Sequence, residues 1–165
     1  MSNPAAPEQR MITVEWELKR FDELTLDELY DSLRLRVNVF VVEQKCPYPE
    51  LDGIDRSSLH LLGREGGRLL AYLRLFRRPG EENTAQLGRV VTAVRGKGYG
   101  AELLRRGIAA AAEVLRCDEI IIEAQTYAVG FYAREGFTVC SDEFPEDGIP
   151  HVRMRLKIKD RNLSK

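Results

Sequence analysis

Arg95-Gly96-Lys97-Gly98-Tyr99-Gly100 is the stretch that decides how this chain reads. It follows an apolar run, Leu87 to Val94, and precedes Leu104, Ile108, Ala111 and Leu115, whose spacing is helical. The local order is therefore strand, glycine-rich turn, helix. Glycines let the backbone turn sharply with its N–H groups facing one way, and the first turn of a helix adds unpaired donors and a partial positive charge. An anion fits there, a phosphate foremost. Such turns also occur without ligands, so the flanking sequence has to decide between the two readings.

Downstream, Glu119 to Ala124 contains Ile120-Ile121-Ile122 and reads as a central strand. A short helix over 128–135 stops at Gly136, Phe137 opens another strand, and His151 to Lys159 alternates apolar with basic residues as a half-buried strand does. Upstream, Ile12 to Leu18 alternates in the same way. Thr25 with Glu28 forms a capping box, and Leu26, Leu29, Tyr30, Leu33, Val37 and Val41 then fall on one helical face. The stretch from Cys46 to Ser58, rich in proline, glycine and acid, reads as a long surface loop. Two strands, Leu59 to Arg64 and Arg68 to Phe76, flank the hairpin signal Glu65-Gly66-Gly67, and Pro79 to Thr84 is a further turn. Hairpins followed by strand–helix–strand–helix–strand predict an α/β (α+β) domain, a mixed and mostly antiparallel central sheet with helices on both faces. Residues 11–160 are expected to form that single domain, between a disordered tail over 1–10 and a polar tail over 161–165.

Composition bounds the function. Of 165 residues, 44% are apolar and 31% charged, with a net charge of −1 and basic residues scattered along the chain, which argues against nucleic acid as the partner. No segment reaches the ~18 apolar residues of a membrane span, and no basic-then-apolar leader opens the chain, so a cytoplasmic location is expected. Cys46, Cys117 and Cys140 are odd in number and widely spaced, which fits neither a disulfide framework nor a zinc site. No metal is expected.

A second motif gives the turn its meaning. Gln125-Thr126-Tyr127-Ala128 is followed by Phe131-Tyr132-Ala133-Arg134-Glu135-Gly136-Phe137. Arg95-x-x-Gly98-x-Gly100, a helix, an apolar strand and then Phe-Tyr-x-x-x-Gly-Phe resembles the GNAT family of acetyl-CoA-dependent acyltransferases. Val39-Phe40-Val41-Val42-Glu43-Gln44, Cys46-Pro47-Tyr48, Asp52-Gly53-x-Asp55 and Glu146-Asp147-Gly148-Ile149-Pro150-His151 resemble its ElaA-like branch. The resemblance implies the GNAT fold and acetyl transfer from acetyl-CoA (coenzyme A) directly to a primary amine, on a small molecule or peptide. It places the cofactor pyrophosphate on Gly96, Lys97, Gly98, Tyr99 and Gly100, with Arg95 and Lys97 adding charge. It also places the pantetheine arm on the backbone of Val90, Val91 and Thr92. The chain departs from the usual pattern in the short connection Thr92-Ala93-Val94 before Arg95.

The resemblance also gives Tyr132 the acid role. A tyrosine with a pKa of about 10 is protonated at neutral pH and can hand a proton to a leaving thiolate of pKa about 8.5. Gln125 stands where relatives often carry an asparagine, and either binds the cofactor arm or caps the following helix. A protonated amine acceptor needs a base, for which Glu43, His60, Glu123 and His151 are candidates; Glu43 is carried forward because it lies between the first helix and the acidic loop. Cys140 is rejected as a nucleophile, since direct transfer needs none. The loop Glu50-Leu51-Asp52-Gly53-Ile54-Asp55 matches no calcium spacing, and its carboxylates are either solvated or attract a cationic amine. Two other readings are a non-catalytic acyl-CoA-binding sensor and an acyl-homoserine lactone synthase, whose front Arg36-x-x-Val39-Phe40-Val41 resembles. The alternating last strand offers an edge through which two copies would form a homodimer.

Overall fold

The computed structural model describes residues 13–158; the expected tails, Ile12 and Lys159 lie outside them. One sheet carries β1 (Glu15–Arg20), β2 (Leu59–Glu65), β3 (Arg68–Arg77), β4 (Thr84–Thr92), β5 (Glu119–Gln125), β6 (Thr138–Val139), β7 (Phe144–Glu146) and β8 (Ile149–Lys157). The spatial order is β1-β2-β3-β4-β5-β8-β6, with β7 also on β8, and only β4 and β5 run parallel. Helix α2 (Tyr99–Glu113) covers one face, where Leu103, Leu104, Ile108 and Ala111 join Leu61, Leu73, Leu75 and Leu87 in the main core. Gly107 allows the close approach, because a Cβ there would meet Leu73 Cδ2 at 2.8 Å and Leu87 Cδ2 at 2.9 Å. The short helix α3 (Val129–Ala133) packs through Tyr132 into the same core, and α1 (Leu26–Arg36) lies on the opposite face.

Helix α1 starts where the capping box predicts. Thr25 Oγ1 accepts from the Glu28 N–H at 3.1 Å, and the Glu28 carboxylate accepts from the Thr25 N–H at 2.9 Å. Its buried face is not the expected apolar one. Leu26 and Tyr30 are 86% and 68% exposed, while Glu28, Ser32 and Arg36 are buried. Beyond Arg36 the chain widens into a π-helical turn, Val37–Glu43, whose wider bonds (Gln44 N–H to Val39 O, Cys46 N–H to Val41 O) end the 3.6-residue period on which the sequence expectation rested.

The helix turns a polar face inward because a charge cluster awaits it. Arg36 donates to Glu50 at 2.7 Å and to both Asp55 oxygens at 2.8 and 3.2 Å. Arg74 bonds Asp52 at 2.5 Å and Asp55 at 3.0 Å, and Arg89 bonds Glu50 at 2.8 Å. The acidic loop is therefore an inward-facing strap whose carboxylates are neutralised, and neither sequence reading of it holds. Arg89 sits at φ +52, in a β-bulge that places three β4 steps against two of β3 between Tyr72↔Val91 and Arg74↔Gly88. The bulge bends β4 away from β5, and their pairing is confined to Thr84–Gln86 against Glu119–Ile121. Strand β8 is bonded on both sides, by β5 and by β6 and β7, so the edge invoked for a homodimer is already occupied.

The cluster sets the acid stability. Burial alone would raise the Asp52 and Asp55 carboxyls, but bonds from Arg74 to Asp52 and from Arg36 to Asp55 outweigh it, and Asp52 is held at about 2. Groups depressed in the folded state contribute stability above their ordinary value near 4, lost as pH falls through the folded one. Urea midpoints are expected to hold from pH 7 to about 4.5 and drop steeply between about 4 and 2. Arg36→Met, which strands two buried carboxylates, is expected to cost about 3–5 kcal/mol in the same assay.

Candidate active site

Where β4 and β5 part, a cleft of about 580 Å³ opens. One wall is the edge of β4 from Gly88 to Thr92, whose pairing with β5 ends at Gln86. The opposite side comes from β5, the start of α3 and the β7–β8 hairpin. The π-helical turn contributes Val39, Phe40 and Gln44 as a partly apolar rim.

The glycine-rich turn stands at one end. Gly96 and Gly98 have φ of +79° and +78°, which is why L side chains are disfavoured there, and Gly98 caps α2. Ala93 donates its N–H to Leu70 O, and the next N–H with a backbone acceptor among the described residues is that of Glu102, to Gly98 O. The intervening donors and the α2 N-terminus together form an anion cradle. Arg95 and Lys97 are exposed on its rim. Gly100 adjoins the second motif: a Cβ on it would lie in ordinary contact with the Phe131 ring, at 3.4 Å.

Tyr132 is buried and lines the cleft, packed edge-on against Phe131 at 5.1 Å and Phe137 at 6.0 Å. Burial, with the neighbouring Tyr127 hydroxyl adding to it, pushes its phenol well above the usual tyrosine value. The hydroxyl stays protonated at neutral pH.

The other expected residues are dispersed. Val90, Val91, Thr92, Arg95, Gly100 and Gln125 line the cleft. Glu43 does not: it is half-exposed and its carboxylate is taken up by an ion pair with Arg95 at 2.6 Å, which speaks against the base role. His60 is also remote. One of its ring nitrogens meets the Tyr72 hydroxyl at 2.7 Å and the other the Asp55 carbonyl at 2.9 Å, and burial lowers its pKa, so it is a neutral linker inside the charge cluster. Glu123 faces the cleft and ion-pairs with Arg153 at 3.3 Å. His151 lines the cleft with its side chain almost wholly buried. Gln125 does not cap the next helix. Its amide forms a reciprocal pair with Gln44, at 3.0 and 3.2 Å, closing the cleft against the first helical segment. Gln44 belongs to a motif quoted above without a role, and only its contact with a residue 81 positions away reveals one.

A family model described as acetyltransferase (GNAT) domain matches residues 30–158. A UPF0039 protein of Schizosaccharomyces pombe is 43% identical over 152 residues, covering 90% of this chain and all of that one. Protein ElaA of Escherichia coli is 33% identical over 149 residues, covering 88% and 97%. The crystal structure of an acyl-CoA N-acyltransferase from Pseudomonas aeruginosa superposes with a TM-score of 0.81 at 42% identity, over 87% of this chain and 99% of that one.

The turn geometry is directly testable. Gly98 has open space around its Cβ position, so Gly98→Ala is expected to cost about 1–2 kcal/mol from the left-handed backbone alone. Gly130 lies in α3 with equally open space and without positive φ, and Gly130→Ala is expected to gain about 0.5–1 kcal/mol in the same urea titration.

Proposed function

The chain belongs to the GNAT acetyltransferase family, in its ElaA-like branch, and from that premise we propose that it moves an acetyl group from acetyl-CoA directly to a primary amine. The observation that carries this reading is a buried, protonated Tyr132 lining the same cleft as an unpaired strand edge, with an anion cradle at its end.

The residues fit an acyl-CoA. The N–H groups of Gly96 to Gly100, joined by Lys97 and Tyr99, would hold the pyrophosphate, and Arg95 would add charge while Glu43 keeps its guanidinium in place. The free edge of β4 at Val90, Val91 and Thr92 would pair with the amides of the pantetheine arm as a strand pairs with an added strand. Gln125, fixed by Gln44, would meet the arm from the other side. Bound acetyl-CoA supplies the activated acyl group. Tyr132 supplies the proton that the departing sulfur takes up; burial keeps its phenol protonated, so the O–H hydrogen-bonds the sulfur and passes its proton only as negative charge collects there. Holding both reactants in one walled cleft supplies proximity.

Coenzyme A titration and a free-thiol release assay across polyamines, amino acids, aminoglycosides and peptides test the reading. Tyr132→Phe is expected to lower thiol release about 100-fold or more with the CoA dissociation constant within threefold. Wild-type turnover in that variant would remove Tyr132 as the acid. Tight CoA binding with no thiol release for any amine would favour the sensor reading instead.

A further inference from the structure

The acyl-transfer reading leaves open where the acceptor sits and what takes its proton. Resting on that reading, the geometry points to His151 as the base, receiving a proton from an acceptor bound as a primary ammonium beside Glu146 and Glu123.

The sheet register brings these groups together. Gln125 stands opposite His151 and Glu123 opposite Arg153, so the four side chains share one face of β5 and β8, the face turned away from α2 and the main core. Along that face Glu119 pairs with Arg155 at 3.0 Å and Glu123 with Arg153 at 3.3 Å. The ladder of ion pairs ends at His151. Its Nδ1 lies 2.7 Å from the Ile149 carbonyl, which can only accept, so Nδ1 carries the hydrogen and Nε2 of the neutral ring carries a lone pair. Nε2 faces Glu146 at 3.5 Å, and the ring stacks on Phe144 at 6.1 Å with an interplanar angle of 23°. Among the described residues no other histidine lines the cleft.

The charge balance at this end favours a cation. Facing His151 are Glu146 and Asp147 from the β7–β8 hairpin, Glu123 from β5, Arg153 from β8 and Arg89 from β4, and Arg89 is already bound to Glu50. Burial pushes the Glu146 carboxyl up, and the negative charges of Glu123 and Asp147 push it further than His151 and Arg89 pull it back. Negative charge thus exceeds its partners where an ammonium would relieve it. An α-amino acid would bring its own carboxylate into this field, so the acceptor class is an alkyl or polyamine ammonium, its carbon chain along Val39 and Phe40.

The protons balance. Attack of the amine nitrogen on the thioester carbon forms the C–N bond and breaks the C–S bond, whose electron pair leaves with sulfur. Of the three ammonium protons, one stays on the amide nitrogen, one passes to His151 and then to solvent, and one replaces the proton that Tyr132 gives to sulfur.

The chain has two histidines, which makes the test a spectroscopic one. In the CoA complex, saturating 1,5-diaminopentane is expected to move the ring NMR signals of His151, through the nearby positive charge, while those of buried His60 serve as the reference and 1,5-pentanediol leaves both in place. Glu146→Gln, at a half-exposed position, is expected to weaken the diamine effect at least about threefold. With any amine that supports thiol release, His151→Gln is expected to lower kcat about 100-fold with the CoA dissociation constant within threefold. His151 signals that the diamine does not move, or a His151→Gln enzyme with wild-type kcat, overturn the assignment. Loss of CoA binding or of Tyr132 dependence would instead sink the acyl-transfer reading, and the histidine signals report separately from both.

Discussion

The cleft is framed by an ionic cluster whose inner members, Arg36, Glu50, Asp55 and Arg74, are buried. Arg36, Arg74 and Arg89 meet Glu50, Asp52 and Asp55, and the six charges cancel. Dehydrating each ion costs several kcal/mol, a cost offset only when every group finds good partners, and here the arginines hold their carboxylates through two or more bonds each. Tyr48 and Tyr72 complete the shell: the Tyr48 hydroxyl donates to Glu50, and the Arg36 guanidinium lies 5.5 Å from the Tyr72 ring. The result is a rigid tie between α1, the 46–58 strap, β3 and β4. Its outermost arginine, Arg89, occupies the bulge that diverts β4 from β5.

Neutrality in the cluster leaves the two ends of the cleft to set its field. At the turn, Lys97, open N–H groups and the α2 N-terminus, with Arg95 shared with Glu43, would make one end receptive to anions. At the hairpin, Glu146 and Asp147, with Glu123 shared with Arg153, would make the other end receptive to cations. An anionic donor and a cationic acceptor entering from opposite ends would be oriented before they touched, and Tyr132 lines the space in which they would meet.

Much of this was legible in the sequence, and the exceptions share one cause. The glycine turn, the Gly66-Gly67 hairpin, the apolar β5 and the alternating β8 carry local signals, and the elements they announce are present. The face of α1 was misread because its burial is decided by Glu50 and Asp55, which lie 14 and 19 residues beyond Arg36 and look like solvated turn carboxylates until their partners are known. Hydrophobic periodicity has no means of anticipating a charged interior. Strand β7 went unrecognised because it is short and contains Pro145, although Asp147-Gly148 is a strong hairpin signal and both residues have positive φ. Glu43 looked like a base because it lies near the acidic loop in sequence, whereas the π-helical turn swings it out to Arg95.

The two motifs that identified the family prove to be one object in space. Gly96 and Gly98 have open surroundings and are needed for their backbone angles, whereas a Cβ on Gly100 would lie in ordinary van der Waals contact with the Phe131 ring, at 3.4 Å. Phe131 in turn stands edge-on to Tyr132. The anion cradle and the phenol are thus separated by one aromatic ring, held by van der Waals contact. Close-packed groups transmit displacement, so the ring couples the start of α2 to Tyr132. The turn and the Phe131-Tyr132 pair therefore meet through the Phe131 ring, which neighbours Gly100 on one side and stands edge-on to Tyr132 on the other.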